Sequence, residues 1–111
     1  MDMRKMTILF CLLTSASLSQ ADWPEFRGGQ SLQGVTYNSI PLKVVHKWTY
    51  QTGSEIKASP VVQGNYIVIG STDTFLYCLD TKGKLHWKFE ADNAIEASAL
   101  IHEHTVYVGS L

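Results

Sequence analysis

The 111 residues carry nine basic and ten acidic side chains, 45% apolar residues, 17% charged residues and two cysteines. That composition excludes a disulfide framework, a disordered charged tail and a nucleic-acid binder driven by bulk charge. The length allows at most one small domain, barely large enough to bury a useful core.

Arg4 and Lys5 supply a positive start, residues 7–13 an apolar run, and Ser19-Gln20-Ala21 the small residues flanking a cleavage point. Residues 1–21 are therefore predicted to be a secretory signal peptide, which implies a periplasmic or extracellular location. The apolar run is far short of the roughly 20 residues that cross a bilayer, so no transmembrane anchor is expected in the mature chain. Cys11 follows Ile8-Leu9-Phe10 where a lipobox requires a small residue, which disfavours lipidation. Beyond the signal, seven Lys/Arg face nine Asp/Glu, a net charge of about −2. No basic patch for nucleic acid survives. Cys78, in Leu76-Tyr77-Cys78-Leu79, reads as a buried thiol without a reactive setting.

The rest of the chain repeats at an offset of 39 without a gap. Lys43 falls on Lys82, Trp48 on Trp87, Ile56 on Ile95, Ala58 and Ser59 on Ala97 and Ser98, and Gly70 and Ser71 on Gly109 and Ser110. A period near 40 belongs to helical arrays or to propeller blades, and the filling of each unit separates them. Here Tyr66-Ile67-Val68-Ile69, Phe75-Leu76-Tyr77-Cys78-Leu79, Leu85-His86-Trp87-Lys88-Phe89 and Val106-Tyr107-Val108 are strand-like runs. Turn residues separate them at Gln63-Gly64-Asn65, Ser71-Thr72-Asp73-Thr74 and Asp80-Thr81-Lys82-Gly83. Runs that are apolar at every position must be covered on both faces. The expected architecture is all-β: a partial β-propeller of four-stranded antiparallel blades, with Trp48 and Trp87 each filling the wedge between neighbouring sheets.

From Ile69-Gly70-Ser71 through Leu76-Tyr77-Cys78-Leu79-Asp80 and Gly83 to Trp87, the sequence resembles the repeat of the quinoprotein-like (PQQ-like) β-propellers. Ile56-Lys57-Ala58-Ser59-Pro60-Val61-Val62 is similar to the Ser-Pro strand opener of that repeat, and Asp22-Trp23-Pro24-Glu25-Phe26-Arg27-Gly28-Gly29 to the segment that precedes the first blade. The resemblance covers essentially all of 22–111 and implies a lead-in segment at 22–42 and incomplete repeats at 43–111. It also implies that Trp48, Trp87, Asp80, Gly83, Gly70 and Gly109 are structural docking residues of the repeat. Two departures, a shortened turn before Trp87 and Ala99 in place of the Pro60 equivalent, are common in the cofactor-free part of the superfamily.

Residues 44–50 are expected to be the outer strand of a preceding blade, and the last residues to be the opening strands of the next. Propellers need four to eight blades, so the chain is expected to be the N-terminal piece of a longer one. His102-Glu103-His104 could offer two imidazoles on one side of an extended segment, yet the repeat places the triplet on a hairpin turn, and no further zinc ligand is specified nearby. Asp73 and Asp80 are read as turn residues, and Ser59 and Ser98 lack a nucleophile-elbow context. Arg27 is expected to anchor the lead-in segment by hydrogen bonds or a salt bridge. No catalytic, cofactor-binding or metal-binding residue is assigned. The resemblance implies a non-catalytic binding or scaffold module whose partners are the remaining propeller blades or another protein. Its alternative is the start of a pyrroloquinoline-quinone-dependent alcohol or sugar dehydrogenase holding PQQ with calcium.

Overall fold

Short runs of β-branched and aromatic residues, punctuated by Gly, Asn and Asp turns, form six strands in the computed structural model, which describes residues 22–111. The predicted signal peptide lies outside the described residues. Strands β1 (Val61–Gln63), β2 (Tyr66–Gly70), β3 (Phe75–Asp80) and β4 (Leu85–Glu90) make one antiparallel sheet in sequential order. Strands β5 (Leu100–His102) and β6 (Thr105–Tyr107) make a second, two-stranded sheet. The one helical element among the described residues is the short 3₁₀ turn Phe26–Gly28, so the fold is all-β. The two sheets close no ring, and none of the described helical residues is long and apolar enough to cross a membrane.

The register follows from the side chains each strand must hide. Val68 pairs with Cys78 and Ile69 with Tyr77, so successive residues of β2 and β3 point to opposite faces. One face carries Val61, Val68, Leu76 and Cys78 against Ile95, Ala99 and Ile101 of the second unit. The other carries Ala58, Ile69 and Tyr77 against Tyr50, Phe75 and Leu85. β3 is buried along nearly its whole length because both faces are covered, which explains a strand apolar at every position.

The hairpin turns are set by local chemistry. Asp80 Oδ1 accepts the backbone N–H groups of Lys82 and Lys84, at 2.8 and 2.9 Å, and Gly83 takes φ +84, a left-handed conformation that glycine adopts without a side-chain penalty. Cys78 pairs with Trp87 but Leu79 pairs with Leu85, which leaves His86 as the extra residue of a bulge.

One predicted element is corrected. Residues 44–50 lie outside any sheet and are exposed apart from the half-buried Trp48 and Tyr50. A strand exists only when a ladder partner takes its backbone groups, and no described residue offers one here.

Candidate functional site

The most informative surface is the junction between the first unit and the second. Here residues 39 apart in sequence touch each other directly. Lys57 Nζ lies 2.6 Å from Glu96 Oε1, and the Ser59 N–H donates to Ser98 Oγ at 3.0 Å. The pairing with Glu96 raises the Lys57 pKa, by its hydrogen bond first and its charge second. The backbone repeats in the same way. Thr72 N–H donates to the Glu55 carbonyl at 2.9 Å, and Leu111 N–H, 39 residues on, donates to the Ala94 carbonyl at 3.1 Å. Gly64 and Glu103, also 39 apart, take φ of +56 and +54 in the two hairpin turns.

The lead-in segment ties the two units together at their first strands. Trp23 exchanges two backbone hydrogen bonds with Val62 of β1, each 2.7 Å, and Pro24 accepts one from Ile101 of β5 at 2.8 Å. Val62 and Ile101 are again equivalent positions. Asp22 Oδ1 accepts the Gly64 N–H at 2.7 Å, so the free edge of β1 is covered. Among the described residues Arg27 anchors this segment through its backbone, and its side chain makes no bond of the predicted kind. Its carbonyl accepts the Gly34 N–H at 3.0 Å, while its guanidinium stands 5.9 Å from the ring centre of Phe26, the residue before it. Arg27 takes φ +62 and is exposed.

The repeat-specific residues fall into pairs with different surroundings. Trp48 lies over the Asp80–Gly83 turn: its Nε1 donates to the Thr81 carbonyl at 2.9 Å, and a Cβ at Gly83 would stand 2.7 Å from Cδ2 of the indole. Trp87, 39 residues later, is 41% exposed. Gly70 is pressed by Ile95, whose Cγ2 occupies the space a Cβ would need, whereas nothing lies within 4 Å of a Cβ built at Gly109. An apolar cleft of about 710 Å³ opens beside Trp87, lined by Leu76, Phe89, Val106, Tyr107 and Val108. A smaller pocket of about 210 Å³ adjoins it, with Cys78 and His104 in its walls.

Besides Lys57, four titratable groups are perturbed by their surroundings. Burial pushes Asp73 up, but hydrogen bonds from Tyr77 Oη, Phe75 N–H and Gly53 N–H outweigh it and hold the carboxyl below the ordinary range. Burial first, and the bond to Asp73 second, push Tyr77 up to about 12. The N–H of Lys84 leads the bonds that lower Asp80, and His86 Nε2 at 3.3 Å from Asp80 Oδ2 adds to them. These are turn-fixing networks. Asp73 binds its own turn to Gly53 and Tyr77, and Asp80 binds its turn to His86 of β4. Burial also raises the Cys78 thiol, the reverse of what a nucleophilic thiolate needs.

His102-Glu103-His104 occupies the hairpin turn that the repeat predicted, exposed throughout. Among the described residues no three His, Cys, Asp or Glu side chains come together as a metal site. Two features were not visible in the sequence. The Asp73–Tyr77 bond at 2.6 Å spans a turn and a strand, and its signal is only an acid four residues before a tyrosine. The reach of the lead-in segment from Val62 to Ile101 has no local signal at all. No family model and no curated protein matches the chain.

Proposed function

We propose that this chain is a non-catalytic module of an exported β-propeller of the PQQ-like kind, acting as a binding or scaffold element. The observation that carries the reading is the pair of identical backbone bonds 39 residues apart, Thr72 to Glu55 and Leu111 to Ala94. The two units that repeat this bond also touch through equivalent residues at Ser59 and Ser98. Repeating sheets side by side in this way is the construction rule of a propeller. The resemblance of the Leu76 to Trp87 stretch to that repeat supports the same assignment, and the predicted signal peptide supports export.

A binding role follows from where the chemistry is spent. Asp73 and Asp80 serve turns, and Trp48 packs on the turn of the following unit. The alternative, a quinone-dependent dehydrogenase, is tested by titrating the chain with pyrroloquinoline quinone and Ca²⁺ and assaying dye reduction by alcohols. The expected result is no saturable quinone binding in the range of about 1–100 μM. Saturable binding with alcohol-dependent dye reduction overturns the non-catalytic reading.

A further inference from the structure

We draw no further inference here: the strongest candidate, the exposed apolar stretch of the lead-in segment at residues 35–45, lies in no sheet, and nothing in the structure shows what covers it.

Discussion

Gly83→Ala tests the contact on which the stacking of units depends. Gly83 has φ +84, and a Cβ there would stand 2.7 Å from Trp48 Cδ2, well inside carbon–carbon contact distance. The left-handed backbone costs an alanine about 1–2 kcal/mol. Lifting the indole breaks its bond to the Thr81 carbonyl, worth about 0.5–1.5 kcal/mol, and returns apolar surface to water. If about 100 Å² is re-exposed, the further loss is about 2.5 kcal/mol at 25 cal/mol/Å², and a partial displacement forfeits a share of it. In a Trp48→Ala background only the backbone cost survives. The two substitutions should therefore be coupled by about 1–3 kcal/mol. The assay is urea unfolding followed by far-ultraviolet circular dichroism on the parent, both single variants and the double variant. Additivity to within about 0.3–0.5 kcal/mol would refute the argument, because it would mean that the indole and the turn do not depend on each other.

The equivalent glycines should behave unequally. Gly70→Ala forces Ile95 aside and costs about 1–3 kcal/mol, whereas Gly109→Ala, with open space around it, stays within about 0.5 kcal/mol of the parent in the same unfolding assay. Ser98→Ala removes the acceptor of the Ser59 N–H and costs about 1 kcal/mol, and Ser98→Thr, which keeps the hydroxyl, recovers most of it on the same denaturation curves. Tyr77 should ionise late, near pH 12, in a spectrophotometric titration. That late step should vanish in Tyr77→Phe and move to lower pH in Asp73→Asn. The raised Tyr77 pKa contributes stability that is present below pH 10 and lost as pH rises towards about 12. Asp73 has the opposite sign: its lowered pKa contributes stability present above the ordinary carboxylate pKa and lost as pH falls through the folded value. Acid titration of unfolding stability should flatten on the acid side in Asp73→Asn.

The strands and turns of the first unit were legible because their signals are local. A run such as Tyr66-Ile67-Val68-Ile69 has few conformations open to it, and Asp80 with Gly83 caps its turn from within four residues. The 39-residue period was legible for the same reason, since each unit repeats its own short-range chemistry. Residues 44–50 show the limit: their pattern matches β4, yet a strand needs a neighbour, and pattern alone does not supply one.

What the amino-acid order determined by itself is the kind of unit: four β-runs, their turns, and one indole per period. Only the tertiary structure decided which copy of each repeated residue meets its partner. Trp48 finds a glycine turn and Trp87 does not; Gly70 is pressed by Ile95 and Gly109 stands open. Those contacts are made between units, between residues 25 to 35 positions apart, and identical letters carry no record of what lies on the far side of a sheet.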